Sequence, residues 1–318
     1  MKERLLLIKN PVSGMALGKV PIETIAQILS RKYDVFIHIT TAKEDACTTV
    51  KRYGSAFDVL AVSGGDGTIN EVLQAVMTLP ENERPKLGII PAGTSNLLAD
   101  VVKIPPNMEI AAEIICDGVL HGLDVGMMGG YSFATAISFG CFTDTTYATP
   151  QTLKNIFGYT AYVIGAVKSL SELRSYNMTV TIGEGEEVIG GDYLLGAVTN
   201  VNSVGAIIKL DPSIVDYNDG KFEAVFIRRP ENIAELSNIV AQIFSGKLDN
   251  DLIRFFQTDR VSIRINEEIP WTVDGEYIKD FGSVDITMYH SALEVFTLSN
   301  VMRERYGSAI YAPMPINN

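Results

Sequence analysis

At 318 residues the chain is long for a single hydrophobic core, so two domains are expected. Its 26 Lys and Arg against 38 Asp and Glu give a net charge of −12, which argues against a general nucleic-acid binder and against non-specific adhesion to an anionic bilayer. Three widely spaced cysteines (Cys47, Cys116, Cys141), with no C-x-x-C pair and no nearby histidine, read as reduced thiols of a cytosolic protein and exclude a disulfide frame and a zinc site. The apolar run Leu5–Ile8 is too short for a signal peptide, and no stretch of about 18 apolar residues offers a membrane span.

In chain order, residues 1–125 alternate strand and helix patterns. Leu5–Ile8 is a short all-apolar run ending at Asn10-Pro11, as a buried parallel strand would. Ile22–Leu29 has helical spacing behind Pro21, Val35–Ile39 is a second strand, and Asp45–Tyr53 a helix. Phe57–Val62 is a third strand followed by a helix over Thr68–Thr78, and Leu87–Ile90 a fourth strand running into Pro91-Ala92-Gly93-Thr94. Met108–Asp117 is a further helix. Repeated β-α units predict a parallel sheet covered on both faces, with every post-strand turn at its carboxyl edge, where open α/β sheets bind ligands.

Beyond about residue 125 the pattern changes. Tyr176–Ile182, Tyr193–Val201, Phe222–Ile227, Val261–Ile265 and Val284–Met288 read as strands separated by turn clusters such as Asn218-Asp219-Gly220 and Asp274-Gly275. Phe157–Leu173 and Ile233–Phe244 are the helical exceptions, so a mostly antiparallel β domain is expected. The tail from about Leu298 has no assignable pattern.

The most informative segment is Ser63-Gly64-Gly65-Asp66-Gly67-Thr68-Ile69-Asn70, set between an apolar strand and an amphipathic helix. Gly64, Gly65 and Gly67 lack a Cβ, so the backbone can take positive φ and approach a ligand closely. The helix that follows aims N–H groups at whatever occupies the turn, which suits phosphate. Asp66 within it suits a metal-bound phosphate or a proton to be removed, because a bare anion would be repelled; the chemistry indicated is phosphoryl transfer. Pro91–Asn96 is a second strand-turn-helix candidate, in which Ser95 or Asn96 could simply cap the next helix. By contrast, Gly14–Val20 is not a phosphate-binding P-loop: it has three residues between its glycines and Val20 after Lys19. No G-x-G-x-x-G follows the first strand, which disfavours a nicotinamide dehydrogenase.

Two acidic clusters complete the inventory. Asp274-Gly275-Glu276 is a hairpin signal that would also hold Glu276 rigidly. Asp211, Asp216 and Asp219 surround Asn218–Gly220, an oxygen-rich loop of the kind that attracts hard cations, although acidic turns are usually just solvated. His38, His121 and His290 have no ligand spacing and read as structural.

Taken together, Asn10-Pro11-x-Ser13-Gly14, Ser63–Glu71, Pro91-x-Gly93-Thr94-x-Asn96, Asp219-Gly220 and Asp274-Gly275-Glu276 resemble the bacterial diacylglycerol kinase and lipid kinase family, in family order and across nearly the whole chain. The resemblance implies an α/β plus all-β architecture: a Rossmann-like nucleotide domain (residues 1–125, with the tail 298–318 as a candidate addition) followed by a β-sandwich (residues 126–297), with the active site in the cleft between them. It implies ATP bound by Asn10, Pro11, Ser13, Gly14, Thr41, Gly64, Gly65, Asp66, Gly67, Thr68, Ile69, Asn70 and Thr94. Asp66 and Glu276 are then the acidic residues at the chemistry, Glu276 accepting the proton of a lipid hydroxyl, and Mg²⁺ is held by Asp216, Asp219 and the carbonyl of Lys221. A primary alcohol must lose its proton as it attacks the γ-phosphate, so the residue types suit the roles.

The family pattern places Asp where this chain has Leu97, which removes a candidate metal carboxylate; Asp124 is a candidate substitute. The expected activity is phosphorylation of a lipid alcohol, diacylglycerol foremost, by a cytoplasmic protein acting peripherally at the inner face of the membrane and without nucleic acid. Arg228 and Arg229 are candidate members of a local contact patch, and Met127–Phe142 and Phe157–Leu173 candidate linings of a lipid site whose ordinary alternative is core packing. Edge strands of the β domain leave a homodimer open. The alternatives are an NAD kinase-like phosphotransferase, which shares G-G-D-G-T, and a nucleotide- or lipid-binding protein with little kinase activity, which Leu97 keeps in view.

Overall fold

The computed structural model describes residues 1–13, 20–140, 174–204, 208–211, 213–246, 248 and 250–307. The chain divides into two compact units, Met1–Val125 with His290–Asn318, and Gly126–Tyr289.

The first unit is built from β1 (Arg4–Lys9), α1 (Ile22–Leu29), β2 (Asp34–Ile39), α2 (Asp45–Tyr53), β3 (Val59–Gly64), α3 (Asp66–Val76), β4 (Lys86–Pro91), α4 (Leu97–Val101), α5 (Met108–Asp117) and β5 (Val119–Met128), whose last residues enter the second unit. β1 pairs in parallel with β2 and β3, and β3 with β4. Leu5–Ile8 are all buried, as is every residue of β3, because a strand covered on both faces has no solvent side and so no alternation. Each fully buried Leu, Ile or Val contributes roughly 1.5–3 kcal/mol. β2 forms the edge and shows the opposite pattern, with Phe36, Ile37 and Ile39 exposed.

Register fixes what matters for function. Lys9 lies opposite both Ile39 and Ser63, and Gly64 opposite Pro91, so the strands end level and their turns emerge along one edge. Helices α1 and α5 pack together, as do α2 and α3, and α5 lies on β4 where Gly88 makes room for Ile115. The chain returns to this unit through β17 (Val284–Thr297), whose Val295 pairs in parallel with Leu87. The tail that lacked an assignable pattern forms α7 (Asn300–Tyr306), started by Ser299, whose Oγ accepts from the Met302 amide at 3.3 Å.

The second unit is an antiparallel β-sandwich of β6 (Tyr131–Phe133), β7 (Ala136–Gly140), β8 (Tyr176–Ile182), β9 (Glu187–Thr199), the short pair β10 (Ser203–Val204) and β11 (Ile208–Lys209), β12 (Phe222–Arg228), β13 (Ile253–Thr258), β14 (Arg260–Ile265), β15 (Ile269–Val273), β16 (Glu276–Phe281) and the first half of β17, with one helix among the described residues, α6 (Ile233–Ser245). β8 shows the expected in-out alternation. β12 is buried on both faces: Phe222, Ala224 and Phe226 join the sandwich core, and Val225 and Ile227 join a second layer with Ile239 and Ile243 of α6. β9 starts earlier than its apolar run because Gly190 and Gly191 carry no hydrophobic signal, yet pair with Thr179 and Met178. The helix expected over Phe157–Leu173 lies outside the described residues.

Candidate active site

The carboxyl edge of the parallel sheet is drawn together by hydrogen bonds among the predicted residues. Asn10 is its strut: its amide donates to the Ser63 carbonyl (2.9 Å), its side-chain Nδ2 donates to Thr68 Oγ1 (2.9 Å), and its Oδ1 accepts from the Val12 amide (3.0 Å). β1, β3 and the first turn of α3 are thereby fixed to one another. Pro11 is exposed and Ser13 half-buried just beyond this strut, while Gly14 lies outside the described residues.

The glycines act by closeness, not by unusual dihedrals. None of Gly64, Gly65 and Gly67 takes a positive φ; Gly65 is extended (φ −89°, ψ −177°). A Cβ on Gly64 would sit 2.6 Å from Thr68, and one on Gly93 would sit 2.7 Å from the Gly65 Cα. The turns after β3 and β4 therefore touch backbone to backbone; of the two freedoms that glycine offers, positive φ and close approach, the second is the one used here. α3 also begins at Asp66, two residues before the periodicity indicates, which places Gly67 and Thr68 in its first turn and their N–H groups at its positive end. Ile69 faces the core, 2 % exposed, and its amide makes the helical bond to the Gly65 carbonyl (3.1 Å), so it supports α3 from behind. Asn70 is half-buried one residue further on.

Asp66 is held from the second turn: the Leu97 amide donates to its Oδ1 at 2.7 Å. The residue that breaks the family pattern thus supplies a backbone donor to the acidic group, and its side chain is 40 % exposed. Asn96 does not cap α4 with its side chain. It takes a left-handed conformation (φ 51°) and folds back on the turn, accepting from Gly93 N (2.7 Å) and donating to Gly93 O (2.9 Å). Thr94 and Ser95 are left exposed on the turn so clamped.

Thr41 is placed by Asp45. The Asp45 Oδ2 accepts from the Thr41 amide (2.7 Å) and hydroxyl (3.0 Å), and its Oδ1 lies 3.1 Å from His38 Nε2. The Thr41 amide, then its hydroxyl and His38, hold the Asp45 carboxyl below the ordinary aspartate value. Glu71 of α3 reaches across to the Glu44 amide (2.9 Å), tying this loop to the glycine turn.

In the second unit, Asp274 (φ 48°) and Gly275 (φ 87°) form the two-residue hairpin turn between β15 and β16, both in the left-handed region that a type I′ turn requires. Asp274 Oδ1 accepts from the Thr135 amide (2.9 Å), the Thr135 hydroxyl (2.6 Å) and the Ala136 amide (3.0 Å). The hairpin is locked onto the start of β7, and Glu276 stands exposed as the first residue of β16, opposite Val273.

The acidic loop is an oxygen-rich turn. Asp216 Oδ1 accepts from Asn218 N (3.0 Å), Asp219 Oδ1 from Lys221 N (2.9 Å), and Gly220 takes φ 78°. Among the described residues no three of His, Cys, Asp and Glu gather closely enough to hold an ion by themselves. The expected set, two carboxylates and a carbonyl, is smaller, and the surroundings fit a hard cation: Asn218 Oδ1 and Glu223 Oε2 are buried with no hydrogen-bond partner. Burial pushes the Glu223 carboxyl up to about 7; Gln257 pulls it down, and Asp219 and Asp216 raise it.

Asp124 is not available to replace the absent carboxylate. It is fully buried and accepts from the Ser291 amide (2.6 Å), with its Oδ1 2.9 Å from His290 Nδ1. His38 and His290 are thus structural partners of carboxylates, as expected of them. Sequence reasoning missed Lys9, whose Nζ donates to Ser63 Oγ (3.1 Å) and brings a positive charge to the carboxyl edge of the sheet. It also missed Asp45 and Glu71, whose roles depend on loop geometry; only Lys9, next to the Asn-Pro motif, carried a usable signal.

Residues 4–128 match the model of the diacylglycerol kinase catalytic domain, and residues 136–297 that of the YegS C-terminal NAD kinase beta sandwich-like domain. A diacylglycerol kinase of Bacillus subtilis is 33 % identical over 279 residues, covering 86 % of this chain and 90 % of that protein. The chain belongs to the diacylglycerol kinase family. A second member, the diacylglycerol kinase of Staphylococcus saprophyticus, is 29 % identical over 307 residues, 96 % of this chain and 98 % of that protein. The crystal structure of a diacylglycerol kinase from Bacillus anthracis shares the fold, with a TM-score of 0.69 at 22 % identity over 94 % of this chain and 98 % of that one. As a member of this lipid kinase family the protein is an ATP-dependent kinase that phosphorylates an alcohol. None of the helices among the described residues is long and apolar enough to cross a membrane.

Proposed function

We propose that this kinase transfers the γ-phosphate of ATP to the primary hydroxyl of a diacylglycerol, giving phosphatidic acid. The observation that carries the proposal is the joined carboxyl edge of the first unit, where Asn10, Thr68, Gly93 and Asp66 are bound into one phosphate cradle. Relatives named diacylglycerol kinase that match almost the whole chain supply the lipid.

In this reading the first turn of α3 and the Gly65–Gly93 contact let backbone amides approach the phosphates, and Lys9 adds charge. Thr41, Ser13, Gly14 and Thr94 extend the nucleotide site. Glu276 removes the proton of the attacking hydroxyl, and Asp66, fixed by the Leu97 amide, orients the charged phosphate end. Asp216, Asp219 and the Lys221 carbonyl hold Mg²⁺, which supplies charge and rigidity to the loop when bound. Catalysis then rests on positioning and on taking one proton, which is what phosphoryl transfer demands of a protein.

We further assign the protein to the cytoplasmic face of the membrane through a local, salt-sensitive contact that includes Arg229, which is exposed, and Arg228, half-buried. Vesicle binding that does not change between low and high salt would remove that contact.

The test of the activity is incubation with γ-labelled ATP, Mg²⁺ and a panel of diacylglycerol, sphingoid and monoacylglycerol micelles, with NAD as a separate arm. Label in phosphatidic acid supports the proposal. Label in NADP would favour the NAD kinase-like reading that the sandwich domain's description raises. ATP binding without any labelled product would leave a binding protein.

A further inference from the structure

Glu223 is a carboxylate in an apolar layer. It precedes Val225 and Ile227 on the same face of β12 and is fully buried. One of its oxygens, Oε1, accepts from Gln257 Nε2 at 3.2 Å, and that nitrogen also donates to the Ile214 carbonyl at 2.7 Å. The other, Oε2, is buried with no partner among the described residues, and so is Oδ1 of Asn218 in the loop before it. A buried carboxylate oxygen and a buried amide oxygen are each costly to leave without a partner, so both call for a positive or hydrogen-donating occupant. The Asp216 and Asp219 carboxylates act on Glu223 with like charge, so the group they require in common is a cation.

Asp216, Asp219 and Glu223 do not gather as a three-carboxylate cluster, which favours a place for Glu223 behind the aspartates over one as a third direct ligand. Mg²⁺ keeps several of its waters, and those waters are donors. We propose that Glu223 and Asn218 form the outer layer of the divalent-cation site, their unpaired oxygens accepting hydrogen bonds from waters on the ion held by Asp216, Asp219 and Lys221. The inference rests on the assignment of the ion to that loop. It makes the β12–β13 pair, through Glu223 and Gln257, the anchor that ties the loop to the sandwich, and it names two ion-binding determinants that the motif Asp219-Gly220 does not contain. Outer partners of this kind typically set metal affinity by 10–100-fold.

The test is titration of metal-stripped full-length protein with Mn²⁺, followed by paramagnetic resonance of free Mn²⁺ and by competition with Mg²⁺, without ATP or lipid. Wild type is expected to bind one ion and Asp219→Asn to lose it. Glu223→Gln is expected to raise Kd about 10–100-fold while keeping its metal-free urea midpoint. Asn218→Ala, which removes only a loop amide, is expected to weaken binding several-fold and guards against a folding defect in the core variant. Wild-type affinity in both Glu223→Gln and Asn218→Ala, with loss in Asp219→Asn, overturns this proposal and leaves the loop assignment standing. If wild type binds no ion, or Asp219→Asn binds as wild type does, the loop assignment falls and this inference falls with it.

Discussion

Asp274 and Glu276 sit two residues apart in one motif, yet Asp274 is hydrogen-bonded to the start of β7 while Glu276 stands exposed, and replacing Asp274 separates the two. Asp274→Ala removes an acceptor of three short bonds, from the Thr135 amide and hydroxyl and the Ala136 amide. Bonds to a charged acceptor contribute about 1.5–3 kcal/mol each, and counting each near the lower figure gives roughly 4–5 kcal/mol. Alanine at φ 48° adds roughly 1 kcal/mol, because it lacks the short polar side chain whose local hydrogen bonding lets aspartate tolerate the left-handed region. The expected loss, about 5 kcal/mol, is a large share of a domain's stability. Asp274→Asn keeps an oxygen acceptor and tolerates positive φ, so it should lose only about 1–2 kcal/mol. The assay is urea unfolding followed by the fluorescence of the single tryptophan, Trp271, buried on β15 of the same hairpin. Glu276→Gln, at an exposed site, should leave the midpoint within about 0.5 kcal/mol of wild type. An unchanged midpoint in Asp274→Ala would refute the reading of Asp274 as the anchor of the hairpin.

Two further outcomes follow from the phosphate edge. Gly93→Ala puts a Cβ 2.7 Å from the Gly65 Cα and 3.0 Å from Asn96 Oδ1, so the two turns must part. A loss of about 1–3 kcal/mol in stability and of about 10–100-fold in kcat/KM for ATP is expected, whereas Gly190→Ala, with only a carbonyl 3.9 Å away, is the silent control. Asp45→Asn should raise KM for ATP roughly threefold to tenfold by loosening Thr41, with kcat little changed. Because the folded-state pKa of Asp45 is lowered, its stabilising contribution is present above the unfolded aspartate value of about 3.9 and is lost as pH falls below it. The variant should therefore flatten the acid limb of a stability-versus-pH curve, and an unaltered limb contradicts the Asp45 assignment.

How far the sequence could be read depended on whether a signal was local. The parallel sheet was legible because Leu5–Ile8 and Val59–Val62 are unbroken apolar runs, which only doubly covered strands need. The Asp274-Gly275 hairpin was legible because its turn type demands two residues that tolerate positive φ. The first turn of α3 was misplaced because Asp66 and Gly67 lie before the apolar periodicity begins, while helix bonding begins at Gly65. Which freedom Gly65 uses was not legible because its neighbour is Gly93, almost thirty positions along the chain. The same holds for Leu97: its substitution for a carboxylate reads as a loss, but its contribution to Asp66 is made by a backbone amide that no sequence displays. Asp45, Glu71 and Glu223 were passed over for a related reason, since a carboxylate's partner across a loop or a sheet leaves no spacing to detect.

The central claim is that ATP gives its γ-phosphate to a diacylglycerol hydroxyl whose proton Glu276 removes. The most direct measurement is a single-turnover transfer of label from ATP to diacylglycerol, run with wild type and with Glu276→Gln at saturating ATP and Mg²⁺. Wild type is expected to yield labelled phosphatidic acid, the variant a rate about 10²–10⁴-fold lower, and the two proteins equal ATP affinity. Equal transfer rates, or no labelled lipid from the wild-type protein, would contradict it.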